Sequence, residues 1–210
     1  MRRTKEDAEK TRHAILAAAE QLFLERGVAH TSLEHIARHA GVTRGAVYWH
    51  FQNKAHLFHE MLNQVRLPLE PLAERLAAAD GLSSLQLLRD LCIEAMANLV
   101  LDEQRRRILT VLLRRCEFTE ELREAEERHE TFVNQFIDLC EQQFALPTVQ
   151  PYLQAGISPR LASRTLHALL VGLFSDWLRD PHLFDAQTDT PAMIDSCFRG
   201  LLRQWPWVES

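Results

Sequence analysis

Apolar residues recur along this chain three and four apart, with almost no strict alternation, and that period predicts helices throughout. Ile15, Ala18, Ala19, Leu22 and Phe23 share one face of a first helix expected from about Thr4 to Arg26, which Gly27 ends in a left-handed conformation. Thr31 or Ser32 then caps a short second helix, LEHIARHA, closed at Gly41, and a third begins after Thr43 and carries RGAVYWHF. A fourth opens near Asn53 and Lys54 and continues through AHLFHEMLNQVRLPLEPLAERLAAA, kinked or broken at Pro68 and Pro71.

Farther on, Leu85, Leu88, Cys92, Ala95, Met96 and Leu99 form one helical stripe, and Ile108, Leu109, Leu112, Leu113 and Cys116 the next. A longer helix carries Leu122, Ala125, Phe132, Val133, Phe136, Ile137, Cys140 and Phe144 until ALPTVQPYLQAG interrupts it. Ser158 and Pro159 then make a cap and a first-turn proline for a helix that Pro181 closes, and a last helix spans roughly Pro191 to Gln204. Residues 166–178 are apolar nearly all the way round, so that helix must be covered on several sides. With few helices available to do it, a partner subunit is the simpler cover, a wholly internal helix the other.

Residues 33–52, LEHIARHAGVTRGAVYWHFQ, fit a helix-turn-helix position by position. Ala37 is small where two helices cross, Gly41 supplies the positive φ of a tight turn, and Val47 faces the core. Ile36, Val42 and Phe51 complete the packing against Leu22 and Phe23. The second helix of such a motif offers its N-terminal end to base edges in a major groove. Arg44 can donate two hydrogen bonds to a guanine, Thr43 can meet a base or a phosphate, and Gly45 lets the backbone come close. Tyr48, Trp49 and His50 add donors and flat apolar surface, since Tyr48 and Trp49, being adjacent, cannot both face the core. Lys54, Thr31 and Ser32 are expected at phosphates, helped by the positive ends of the helices they begin.

Overall charge argues against nucleic acid until it is divided by position. The chain of 210 residues carries −5, yet residues 1–54 hold nine Lys/Arg and six Asp/Glu, or +3, leaving 15 basic and 23 acidic residues, or −8, for the rest. A mildly basic head on an acidic body is compatible with DNA binding by the head, because phosphate contacts depend on local charge. The 46% hydrophobic and 25% charged residues exclude a disordered or fibrous chain, and only 7 Gly and 8 Pro favour an all-α protein. No apolar run is long enough to span a membrane, and the start MRRTKEDAEKTR lacks a signal peptide's apolar segment, so a cytoplasmic protein is expected. Cys92, Cys116, Cys140 and Cys197 lie far apart and imply neither a zinc site nor a disulfide framework.

Residues 4–60 closely resemble the TetR family, whose signature includes GVTRGAVYWHFQNK almost as it stands here. The opening RRTKEDAEKTR and the segment LVLDEQRRRILTVLLRRCEFTEEL, residues 99–122, resemble its multidrug-efflux repressor subgroup. The resemblance implies about nine helices, with a helix-turn-helix DNA-binding domain over residues 1–54 and a ligand-binding and dimerisation domain over 55–210. It implies a homodimer joined through residues 158–180 and 190–204, a pseudo-palindromic operator in double-stranded DNA, and a regulated operon that encodes an efflux pump. By it, Thr43, Arg44, Tyr48, Trp49, His50 and Lys54 match operator-contacting positions.

The family's pocket lies inside the body. Met96, Leu99, Leu109, Leu113, Phe136, Cys140 and Trp177 face inward by their spacing and would line it, as residues that are otherwise simply core. An apolar cavity fits a hydrophobic drug better than a sugar or nucleotide. No cofactor, metal or enzymatic activity is expected. His35 and His39, and likewise His56 and His59, have helical metal-ligand spacing, but no HExxH pattern, phosphate loop or GxSxG elbow accompanies them. A redox regulator switched at Cys116 or Cys140 is the other alternative. Arg114 and Arg115 would favour a thiolate at Cys116, and the apolar spacing predicts its burial. DNA contacts of this kind fit activation as well as repression.

Overall fold

The computed structural model describes residues 5–79 and 81–205. Ten α-helices make up the described chain: α1 Lys5–Arg26, α2 Leu33–His39, α3 Arg44–His50, α4 Lys54–Asn63, α5 Leu69–Ala78, α6 Gly81–Leu101, α7 Glu103–Thr110, α8 Arg123–Phe144, α9 Pro159–Arg179 and α10 Asp189–Leu201. A π-helical turn, Val111–Arg115, continues α7, and single 3-10 turns lie at Glu120–Leu122 and Gln150–Tyr152. The all-α fold is as expected, with one helix more than the resemblance implied.

The extra helix comes from the stretch expected to be kinked or broken at Pro68 and Pro71, which is broken. α4 ends at Asn63, five residues before Pro68, and α5 starts afresh at Leu69. Residues from elsewhere in the chain meet its C-terminal polar groups: Arg105 donates to the Val65 carbonyl at 3.0 Å and Gln104 to the Gln64 side chain at 2.7 Å. The Arg105 guanidinium thus serves the Val65 carbonyl in place of a following helical amide.

Contacts divide the chain into two compact units, 1–66 with 104–131, and 67–103 with 132–210. The first unit is thus larger than the 1–54 head expected from sequence, because α4, α7, the π turn and the start of α8 pack with α1 to α3. Its core joins Ile15, Leu22 and Phe23 of α1 to Ile36, Val47, Phe51 and Phe58, and to Ile108, Val111 and Leu122 of the returning segment. Phe23 and Phe58 meet edge to face at 6.0 Å. Burying each such side chain contributes about 1.5–3 kcal/mol, so the returning segment is an integral part of this core.

In the second unit α6 packs on α5, α9 and α10, and α9 on α10. Leu85, Leu88, Cys92, Met96 and Leu99 of α6 are buried, as are Ile137, Cys140 and Phe144 of α8. The α9 helix begins as expected, with the Ser158 hydroxyl accepting from the Leu161 amide at 3.1 Å and Pro159 in the first turn. It buries Leu166, Leu170, Leu173 and Trp177 within the protomer, while Leu161, Ala168, Val171 and Gly172 remain exposed.

Candidate nucleic-acid interface

Three local devices place α3. Ser32 caps α2, accepting from the His35 amide at 3.2 Å while His35 Nδ1 accepts from the Ser32 amide at 3.4 Å, a capping box with histidine in the usual Glu position. At the other end Gly41 adopts φ +67, its amide donates to Arg38 O and the Val42 amide to Ala37 O, which is a Schellman closure. A Cβ added at Gly41 would meet no atom within 4 Å, so the backbone angle alone demands glycine. Thr43 then caps α3, its hydroxyl accepting from the Ala46 amide at 3.1 Å.

The helix so placed turns Val47 fully inward and leaves Thr43, Arg44 and Gly45 exposed, with Tyr48 45% and Trp49 71% accessible. Two large aromatics so open to water are unusual on a helix whose other face is core. The Arg44 guanidinium lies 5.4 Å above the Tyr48 ring, and its Nη2 donates to the Tyr48 hydroxyl at 3.3 Å. That hydroxyl raises the Arg44 pKa above its ordinary value. His50 is half-buried, its ring 4.5 Å from Trp49 and 6.1 Å from Phe51, so it supports the exposed edge more than it extends it.

Two of the residues expected at phosphates are buried. Thr31 is 1% exposed and its hydroxyl donates to Gly27 O at 2.9 Å, serving the α1–α2 turn; Ser32, exposed, is the cap. Lys54 is 4% exposed, its ammonium donating to Val28 O and Thr31 O at 3.1 Å each and pairing with Glu121 at 2.6 Å. Two carbonyls of the α1–α2 turn and a carboxylate from beyond α7 converge on this ammonium and hold it inward. Glu121 is 67 positions away in sequence, so no local signal at FQNK could reveal it.

Of the residues expected to line an effector site, Met96, Leu99, Cys140 and Trp177 are buried and Phe136 half-buried in the second unit. Leu109 and Leu113 are half-buried in the first, Leu113 on the π turn. The histidine pairs are otherwise engaged: His35 in the cap of α2, His56 accepting from the Gln52 amide at 3.2 Å, His39 against Gln21 at 3.1 Å, and His59 against Asn63 at 3.1 Å. Among the described residues no helix is long and apolar enough to cross a membrane.

Residues 15–61 match the TetR family of bacterial regulatory proteins, and residues 83–203 match the C-terminal region of MAATS-type transcriptional repressors. The HTH-type transcriptional regulator TtgR of Pseudomonas putida is 35% identical over 196 residues, 93% of either chain. NalD, the secondary repressor of the MexAB-OprM multidrug efflux pump in Pseudomonas aeruginosa, superposes with a TM-score of 0.90 at 64% identity, over 95% of this chain and all 100% of its own. SmeT of Stenotrophomonas maltophilia, solved as a complex with triclosan, superposes with a TM-score of 0.80 at 31% identity over 95% of either chain. With head and body both matched, this chain belongs to the TetR family of bacterial regulatory proteins.

Proposed function

We propose that the protein is a homodimeric repressor of a multidrug efflux pump operon, bound to a pseudo-palindromic operator and released from it by a hydrophobic small molecule. The observation that carries this reading is the outward edge of α3, where Arg44, Tyr48 and Trp49 stand exposed on a helix anchored by the fully buried Val47. Thr43, Arg44 and Gly45 occupy its N-terminal end, the part of a recognition helix that meets base edges. Ser32, Tyr48, Trp49 and half-buried His50 flank them for phosphate, sugar or thymine contact.

A dimer through α9 and α10 would cover Leu161, Ala168, Val171 and Gly172, and two recognition helices would then meet major grooves about 34–36 Å apart. The pump operon and the hydrophobic effector are supported by NalD and SmeT, the first a pump repressor and the second solved with triclosan. Met96, Leu99, Phe136, Cys140 and Trp177, all in the second unit, are the residues proposed to line the effector site. Effector binding would favour a conformation whose heads are wrongly spaced for the operator, which needs a coupling of only about 5- to 150-fold in affinity.

The test is a footprint on duplexes selected from a random pool by the purified protein. Arg44→Ala should weaken the selected site by about tenfold to a hundredfold, with little change on unrelated sequence. An unchanged footprint, or equal affinity for every duplex, would refute the assignment.

A further inference from the structure

Polar side-chain atoms are rarely left without a partner inside a protein. In the second unit Ser84, Gln143 and Ser163 are buried, and each donates to a carbonyl of its own helix: Ser84 to Gly81 O at 2.7 Å, Gln143 to Leu139 O at 3.4 Å and Ser163 to Arg160 O at 3.0 Å. Thr190 is as deeply buried, 0% exposed, and its hydroxyl has no hydrogen-bond partner among the described residues. Its place in the sequence explains why. The helical threonines Thr11, Thr110, Thr131 and Thr165 each donate to the carbonyl four residues back. Thr190 is the second residue of α10, so the residue four back, Ala186, lies outside the helix.

Chain connections fix where this hydroxyl stands. A Cβ at Gly81, the first residue of α6, would lie 2.5 Å from the Thr148 hydroxyl, so α6 begins against the segment after α8. That segment also meets the end of α10, through the Leu153–Leu202 bridge and the Arg203 amide on Tyr152 O. The α10 helix therefore runs antiparallel to α6, with Arg89 and Asp195 paired between the two ends. Thr190, five residues before Asp195, lies about 7.5 Å nearer the other end, at the height of Cys92 and Met96. Residues 180–188 lead from α9 into α10, which packs on it, so the last turns of α9 and their buried Trp177 stand at this same end. Met96 and Trp177 are two of the residues proposed for the effector site.

We propose that the Thr190 hydroxyl is the polar anchor of the effector site, and that the effector is an uncharged phenol on a flat apolar body. This rests on the effector reading above and deepens it. A threonine hydroxyl both donates and accepts, as a phenol does, so each can satisfy the other. Trp177 and Met96 suit an aromatic ring, the first by its face and the second by its polarisable sulfur. A charged effector would stay unpaired here, because the Arg89 guanidinium and the Asp195 carboxylate are already engaged with each other.

A matched pair of biaryls tests it: 4-phenylphenol and 4-methylbiphenyl, which exchange a hydroxyl for a methyl group, are each titrated into the full chain by calorimetry. Wild-type protein should bind the phenol about tenfold more tightly than the methyl analogue. Thr190→Val, which keeps the shape and removes the hydroxyl, should lose that preference, and Thr190→Ser should keep it. Without any probe, Thr190→Val should melt about 2–4 °C above wild type, since it removes an unmet hydroxyl. A preference for the phenol that survives in Thr190→Val overturns the proposal, as does a Thr190→Val chain that melts at or below wild type. Wild-type protein that binds both probes alike overturns the anchor and leaves the effector reading standing. Wild-type protein that binds neither removes a hydrophobic effector of this class, and the proposal with it.

Discussion

The indole N–H of Trp205 donates to Asp195 at 3.0 Å, on the carboxylate that Arg89 of α6 grips through Nε at 2.6 Å and Nη2 at 2.9 Å. Trp205 also stacks on Phe198, with ring centroids 4.5 Å apart. The residues between them run beside the 150–154 loop, where Leu153 and Leu202 form an antiparallel bridge and the Arg203 amide donates to Tyr152 O at 2.8 Å. One carboxylate thus joins α6, α10 and the segment beyond α10.

Arg89, and after it Trp205, hold the Asp195 carboxyl below its ordinary value of 3.8. The folded carboxyl therefore binds its proton less readily than the unfolded one. Its stabilisation is complete above that ordinary value and is lost as pH falls through the lowered folded value. Asp195→Asn should reduce the unfolding free energy by about 1.5–3 kcal/mol at pH 7. The deficit should narrow in denaturant titrations carried below pH 3.8. A deficit that stays constant over that range would show that the carboxylate's charge is irrelevant.

Lys54 makes the second prediction. Removing its ammonium takes the side-chain donor from the buried Thr31 carbonyl and leaves the Val28 carbonyl with the Thr31 amide alone, so Lys54→Met should destabilise the protein by about 1.5–3 kcal/mol in urea unfolding. Glu121 is 60% exposed, and Glu121→Gln should cost less than about 1 kcal/mol. The salt dependence of DNA binding separates this structural role from a phosphate contact. Loss of a phosphate partner lowers the log–log slope by about 0.9, whereas Lys54→Met should leave the slope in place.

The third concerns the thiols. Burial pushes the Cys140 thiol up to about 12 and the Cys116 thiol to about 11, and raises Cys92 as well. At Cys116 the neighbouring Glu126 adds to the shift, so burial and a carboxylate outweigh the cationic surroundings that Arg114 and Arg115 suggested. In native protein at pH 7.5, Cys92, Cys116 and Cys140 should react with an aromatic disulfide far more slowly than in denatured protein, and mild peroxide should leave DNA binding intact. Rapid native labelling of Cys116 accompanied by loss of DNA binding would restore the redox reading.

Features decided within a few residues could be read from the chain alone. Ser158 as a cap, Gly27 and Gly41 at positive φ, and Val47 inward with Trp49 outward all come from local sterics and the helical period. The fate of Lys54 was hidden because its partners Val28, Thr31 and Glu121 are 26, 23 and 67 positions away. That α4 ends five residues before Pro68 was hidden for the same reason, since Gln104 and Arg105 meet its end from 40 positions downstream. The π turn left no trace either: Ile108, Leu112 and Leu113 fit a continued α-helix equally well.

The contact between Arg44 and Tyr48 bears on how fast and how faithfully this surface could dock. A free arginine samples many rotamers and loses that freedom when it forks onto a base, whereas here the ring and hydroxyl of Tyr48 already confine it. Part of the ordering is completed before any encounter. Replacing the tyrosine would therefore loosen whatever sequence discrimination Arg44 provides, by returning disorder to its guanidinium.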